Sequence, residues 1–122
     1  MITKMSARDR ALQTFNSGAV GRLNLRPTWE NRIICYQRIS WEISLATALG
    51  NTRCRLVIVG LGYDLPVAEQ QVPVADTLYW IHDPVWLRER EQLVLLIDQP
   101  QDGTIAEMHG IGYWVEGKEG VV

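Results

Sequence analysis

The segment Arg53–Gly60, which reads RCRLVIVG, constrains the fold of this chain more than any other. Its apolar run Leu56–Val59 is mostly β-branched, and β-branched residues favour extended backbone. An uninterrupted apolar run is typical of a strand that is covered on both faces. The sequence therefore predicts a central strand here, around which the rest of the chain must build a sheet.

Three segments carry helical signals, over residues 6–16, 40–51 and 84–91. The first two follow a serine that can cap a helix, and each has apolar side chains at helical spacing. Those side chains are Ala7, Ala11, Leu12 and Phe15 in the first segment, and Trp41, Leu45, Ala48 and Leu49 in the second. The third follows Asp83, and Pro84 is a residue typical of the first helical position.

Further strands are predicted where short apolar or alternating runs end at turn residues. They cover residues 19–27, 32–39, 77–82, 92–98, 104–110 and 112–117. Residues 61–76 contain two prolines and no hydrophobic period, which indicates a long loop. We therefore predict one α+β domain over residues 1–122, with two or three helices packed on one mostly antiparallel sheet.

The charged residues are distributed unevenly along the chain. Residues 1–60 hold nine cations and three acids, whereas residues 61–122 hold three cations and eleven acids. Most of the cations are arginines, which suit bidentate contact with carboxylate or phosphate. Either the two halves pair their charges internally, or one half faces a partner of opposite charge or a second copy of the chain.

No motif predicts a cofactor or a metal ion. Gly60-Leu61-Gly62 lacks the third glycine of a dinucleotide fingerprint, and Gly112–Lys118 is followed by Glu119 where a phosphate-binding loop needs Ser or Thr. Cys35 and Cys54 are too sparse for a disulfide framework or a zinc site. On a strand, Cys54 would face inward with Leu56, away from the flanking arginines.

One catalytic arrangement remains open in the sequence. Glu107 and His109 are two residues apart on a predicted strand and should share a face. If His82 lies on a neighbouring strand, the three side chains could form a general base or a metal site of a small hydrolase. Otherwise the histidines are half-buried residues with local hydrogen bonds.

The chain contains five tryptophans, a residue that fills cores but also dominates binding hot spots. Trp29 lies in a loop between Arg26 and Arg32, which is typical of a contact residue. The residues we predict to bind a partner are Arg26, Trp29, Arg32, Arg38, Tyr63, His82 and Trp86.

Three functions are compatible with these features. The first is a small cytoplasmic protein without catalysis that acts by protein–protein interaction, such as an inhibitor, an immunity protein or a phage anti-defence protein. A homodimer is compatible with this function. The second is a binder of a nucleotide or single-stranded nucleic acid, with Trp29 or Tyr36 stacking on a base. It predicts that five arginines cluster on one face, namely Arg22, Arg26, Arg32, Arg38 and Arg53. The third is the small hydrolase.

No segment has the length of a membrane span, and the first residues lack the apolar run of a secretory signal.

Overall fold

A computed structural model describes residues 2–18, 20–44, 52–71 and 73–117. Within these ranges 69% of the residues are in strands and none is in a helix. The strands are β1 (Ile2–Phe15), β2 (Gly21–Asn24), β3 (Arg32–Ser44), β4 (Arg53–Gly60), β5 (Tyr63–Gln71), β6 (Tyr79–Ile81), β7 (Val85–Leu87), β8 (Gln92–Asp98) and β9 (Thr104–Gly117). The predicted α+β class is therefore wrong, and the described chain is all-β.

The strands form two antiparallel sheets rather than the single sheet expected. The large sheet has the order β1-β9-β3-β6, with β7 also paired to β3, and the small sheet has the order β2-β8-β4-β5. β4 lies between β8 and β5, which confirms the prediction that RCRLVIVG is an interior strand. β1 and β5 are edge strands.

One hydrophobic core joins the two sheets, which therefore lie face to face. From the large sheet it takes Tyr36, Ile39 and Met108, and from the small sheet Leu56, Leu93 and Leu95. All six of these side chains are at most 1% exposed. The side of the large sheet that faces away from this core carries the other half of its side chains.

The helix predicted over residues 6–16 is the strand β1. Ala7, Ala11 and Phe15 are four residues apart, so they share one side of a strand as well as one side of a helix. Asp9 occupies the same inner side, whereas Arg8 and Arg10 are exposed. β1 pairs with β9 along its whole length, and the hydrogen bonds of that ladder favour the strand over the helix.

The second predicted helix is also a strand in the part that the structure describes. β3 continues to Ser44, with Trp41 and Ile43 buried at alternate positions. Leu45, Ala48 and Leu49 lie outside the described residues. The interpretation failed because a buried tryptophan after a serine fits the start of a helix and the middle of a long strand equally well.

The third predicted helix is the short strand β7 followed by a turn. Val85 and Leu87 are buried on either side of the exposed Trp86, which is strand alternation. Arg90 then adopts a left-handed backbone conformation with φ 66°. Such a residue ends a regular helix, and here it turns the chain into β8.

Two other predictions need correction. The loop expected over residues 61–76 is largely β5, in which Pro66 lies at a bulge of an edge strand, one of the few places where a sheet accepts proline. The two strands expected over residues 104–117 are one strand, β9, which runs through Gly110 and Gly112 without a break.

The uneven charges pair across the fold in part. Arg53 and Arg55 of β4 both bind the Asp98 carboxylate of β8, at 2.8 and 2.9 Å, and Arg10 binds Glu107 at 3.1 Å. Internal pairing therefore accounts for several arginines of the first half. In the described part of the chain, five other cations make no ion pair, namely Lys4, Arg8, Arg22, Arg38 and Arg88.

We expect Asp98→Asn to cost about 1 kcal/mol at pH 7, because it removes the acceptor shared by two guanidinium groups. Burial acts to raise the pKa of Asp98, but the hydrogen bonds from Arg53 and Arg55 outweigh it and hold the pKa below its ordinary value. A lowered pKa in the folded state gives stabilisation that is present above the unfolded pKa, near 4, and is lost as the pH falls through the folded pKa.

Urea unfolding of the wild type and the variant at pH 7 and pH 3 measures this effect, and the difference between them should shrink at the lower pH. Asp64→Asn is the control, because Asp64 is exposed and makes no ion pair with any described residue. An equal difference at both pH values would contradict the prediction.

Candidate functional site

The structure divides the seven predicted binding residues between two places. Four of them gather at one end of the two-sheet fold, namely Arg26, Trp29, Arg32 and Tyr63. The other three lie on or beside the outer side of the large sheet, namely Arg38, His82 and Trp86.

At the end of the fold, backbone hydrogen bonds join two loops. The amide of Thr28 donates to the carbonyl of Glu91 at 3.0 Å, and the amide of Arg90 donates back to Thr28 at 2.6 Å. The Asn31 amide donates to the Glu89 carboxylate at 3.1 Å. Asn31 and Arg90 both have left-handed backbone, which these bonds hold in place. The loops therefore form one fixed platform.

Tyr63 connects the β4–β5 hairpin to the same platform. Its hydroxyl donates to the Glu91 carboxylate, and this bond is the first cause of a pKa of Tyr63 above its ordinary value. The other Glu91 oxygen accepts the Arg88 amide at 2.7 Å. Tyr63 therefore has a structural contact, and its predicted role in binding a partner remains a prediction.

Trp29, Arg32 and Trp114 line a cleft of about 130 Å³ together with Arg26, Pro27 and Ile34. The guanidinium of Arg32 lies 5.0 Å from the Trp29 ring centroid and 4.5 Å from that of Trp114. Both are cation–π distances. Trp29 is 63% exposed, so one side of its ring is available beside the arginine. We call this the Trp29 cleft.

Below the cleft, Arg26 is bound to a buried carboxylate. Its Nε donates to Asp9 at 2.8 Å, and the hydroxyl of Tyr36 donates to the other Asp9 oxygen at 2.6 Å. Gly110 lies opposite Asp9 on β9, and a Cβ there would come within 2.8 Å of the Tyr36 ring. The glycine therefore allows the ring of Tyr36 to cross β9 and reach β1.

The outer side of the large sheet carries aromatic, aliphatic and cationic side chains. We call it the open face and define it by Lys4, Arg8, Arg10, Leu12, Arg38, Trp80, Trp86, Ile105, Glu107, His109, Ile111 and Tyr113. Their positions follow from strand register and alternation. On this face Trp86 contacts Tyr113 edge-on at 6.0 Å, and Lys4 lies 4.2 Å from the Tyr113 ring.

The open face exposes more apolar surface than the solvated side of an antiparallel sheet usually does. Trp86 is 53% exposed and Trp80 is 44% exposed. Leu12, Ile105 and Ile111 are also exposed large hydrophobic residues. Arg38 lies 5.5 Å from the Trp80 ring, where it makes no ion pair with any described residue.

The histidines do not converge on one point. Glu107 contacts His109, as the shared face predicted, and also binds Arg10, which is the first cause of a lowered pKa of Glu107. His82 stacks on Trp80 at 6.3 Å, and β3 lies between Trp80 and His109. Among the described residues, no group of three or more His, Cys, Asp or Glu side chains could hold a metal ion.

The cysteines lack the environment of a nucleophile. Cys54 is fully buried in the core, as predicted, and burial raises its pKa to about 12. Cys35 is also buried, and burial raises its pKa. A thiol with a raised pKa holds little thiolate at neutral pH.

The five arginines expected on one face are separated. Arg22 and Arg53 lie on strands of the small sheet, Arg38 lies on the open face, and Arg26 and Arg32 lie at the Trp29 cleft. Sequence reasoning also missed Trp114 and Arg88, because each comes from a segment far along the chain from Trp29. Inward alternation on β9 is the only sequence signal that could have placed Trp114 there.

The part of the chain that the structure describes has no helix long and apolar enough to cross a membrane. With its two sheets, its Trp29 cleft and its open face, the chain matches no family model, no curated protein and no solved structure.

Proposed function

We propose that this chain is a binding protein that covers the surface of a protein partner with its open face. One observation carries the proposal: exposed Trp80 and Trp86 share this face with exposed aliphatic residues and unpaired cations. Large apolar side chains that are exposed together on one face mark interaction sites on soluble proteins. Tryptophan and arginine are the residues most enriched at energetic centres of interfaces.

The aliphatic residues favour a protein over a nucleic acid. Leu12, Ile105 and Ile111 have no flat ring for a base to stack on, whereas they fill apolar pockets of a protein surface well. Glu42 and Glu107 also point outward from the same sheet, where they would repel phosphates. Acidic side chains on this face suit a partner that presents cations as well as acids.

The cations indicate the chemistry of the partner. Lys4, Arg8 and Arg38 make no ion pair within the described residues, so their charge is available to a partner. A complementary surface would present carboxylates around an apolar centre, which would steer association and fix the orientation of the complex. The cytoplasmic location and the inhibitor-like role predicted from the sequence belong to this proposal.

The test begins with affinity capture from the native host, followed by measurement of the affinity with the purified partner. We expect Trp80→Ala with Trp86→Ala to weaken binding at least tenfold, because both side chains are exposed and lie on the proposed interface. The double variant Arg8→Glu with Arg38→Glu should also weaken binding, and the loss of affinity should be larger in low salt than in high salt. Arg22→Glu and Leu61→Ala are matched controls away from the open face and should bind as the wild type does.

Several results would contradict the proposal. Equal affinity of the wild type and the tryptophan variant would exclude the open face as the interface. Co-purification of nucleic acid alone, with affinity that falls steeply with salt, would favour the second function instead. Sedimentation of the pure chain at several concentrations tests the predicted homodimer, and loss of a dimer in the tryptophan variant would identify a second copy as the occupant.

A further inference from the structure

We propose that the end of the fold holds a second binding site, for a mononucleotide, with the phosphate at Arg32 and Arg88 and the base on Trp29. The proposal does not depend on the interface proposed above. It is carried by a cleft, the guanidinium groups of Arg32 and Arg88, and an exposed ring.

A cleft of about 500 Å³ lies beside the Trp29 cleft and is lined by Asn31, Arg32, Ile33, Arg88 and Glu89. This volume is within the range of small-molecule sites in proteins. Arg32 lines both clefts and so connects them, whereas Ile33 lines the larger cleft and Ile34 the smaller one, on opposite sides of β3. A ligand bound to Arg32 can therefore contact both of them.

The larger cleft is suited to an anion. Arg88 makes no ion pair with any described residue, and the acid that Arg32 contacts is Glu116, at the long distance of 3.7 Å. Glu89 also lines this cleft and accepts the Asn31 amide, and its negative charge offsets part of the charge of the two guanidinium groups. Guanidinium groups bind phosphate oxygens through paired hydrogen bonds, and two of them on one cleft can neutralise a phosphate dianion.

The neighbouring cleft is suited to a flat ring. Trp29 is 63% exposed, and the guanidinium of Arg32 lies 5.0 Å from its ring centroid. A base that stacks on the exposed part of Trp29 therefore lies at the cleft that Arg32 also lines. A nucleotide carries a base and a phosphate joined through one sugar, so one ligand can contact both the ring and the arginines.

The platform holds these groups before any ligand binds. The bonds between Thr28, Asn31, Glu89, Arg90 and Glu91 connect the loop of Trp29 to the turn of Arg88. Two non-glycine residues in this platform, Asn31 and Arg90, have positive φ of 60° and 66°. Held conformations of this kind reduce the ordering that binding requires.

Isothermal titration calorimetry of the full chain with AMP, UMP and inorganic phosphate tests the proposal. We expect AMP to bind at least tenfold more tightly than phosphate, because phosphate makes no stacking contact. Arg88→Gln and Arg32→Gln should each weaken AMP binding about tenfold, since each removes charge-assisted hydrogen bonds. Trp29→Leu should weaken AMP binding at least fivefold and leave phosphate binding unchanged.

Trp86→Leu and Arg22→Gln are the matched controls and should bind AMP as the wild type does. Urea unfolding of each variant checks that the fold is intact, and Trp29 and Arg88 are exposed enough for substitution without loss of the core. Absence of AMP and UMP binding at millimolar concentration would overturn the proposal. So would equal affinity for AMP and phosphate, or binding that Trp86→Leu abolishes and Arg88→Gln does not.

Discussion

Gly112→Ala is expected to lower the free energy of unfolding by about 3 kcal/mol or more, although it adds only one methyl group. A Cβ at position 112 would lie 1.9 Å from the carbonyl oxygen of Cys35 and 3.0 Å from the amide nitrogen of Gln37. Both are backbone atoms of β3, so no side-chain rotation can relieve the overlap. The strands β3 and β9 would have to separate at the centre of the large sheet.

The cause of this close approach is a bulge in β3. The register between β3 and β9 shifts between Tyr36 and Arg38, so Gln37 is an extra residue opposite Gly112. A bulge bends its strand and increases the local twist, which here brings the β3 backbone against β9. Only a residue without a side chain fits at that point.

Urea unfolding followed by circular dichroism measures the loss. Gly103→Ala is the control, because a Cβ there meets nothing within 4 Å and only the positive φ of 85° opposes it. We expect about 1 kcal/mol for this control. A Gly112→Ala variant as stable as the Gly103→Ala variant would show that β3 and β9 are further apart than described.

The interior strands of the small sheet could be predicted from the sequence, and β1 could not. β4 and β8 have long apolar runs that suit only a covered strand. The inward side chains of β1 fall at Ala7, Ala11 and Phe15, spacings that also fit one side of a helix. Only the ladder to β9, almost a hundred residues away in sequence, decides between them, and no local pattern contains that information.

The candidate sites could be predicted only where their residues lie close together in the sequence. Arg26, Trp29 and Arg32 belong to one loop, and their nearness in sequence is preserved in the cleft. Arg88 reaches the same end through the pairing of β7 with β3. The open face could not be predicted for another reason. β9 has apolar residues on both sides, so its hydrophobic pattern does not indicate which side faces the core.

Asp9→Ala is expected to lower the free energy of unfolding by about 3 kcal/mol. Asp9 is 9% exposed and Tyr36 is fully buried, so the Tyr36 hydroxyl would lose its acceptor inside the core. Arg26 would lose its carboxylate too, but its side chain is 46% exposed and can turn to solvent. Most of the loss therefore comes from the unpaired hydroxyl and from the space left by the carboxylate.

Tyr36→Phe separates these contributions in a double-mutant cycle measured by urea unfolding. Alone, it should cost about 1 kcal/mol, because it removes a hydrogen bond and leaves Asp9 with Arg26. In the Asp9→Ala background the same change should be neutral or stabilising, since it removes a hydroxyl that has no acceptor. If Tyr36→Phe costs as much in both backgrounds, the bond between Tyr36 and Asp9 does not contribute to stability.

The pH dependence of the same pair gives an independent check. Burial, and after it the Asp9 carboxylate, raises the pKa of Tyr36 well above its ordinary value. A raised pKa of a tyrosine means that its contribution is fully present below the unfolded pKa, near 10, and is lost as the pH rises above it. The wild type should therefore lose stability between pH 9 and pH 11 more steeply than Tyr36→Phe does. Parallel curves for the two proteins would mean that the Tyr36 hydroxyl ionises as freely in the folded chain as in the unfolded one.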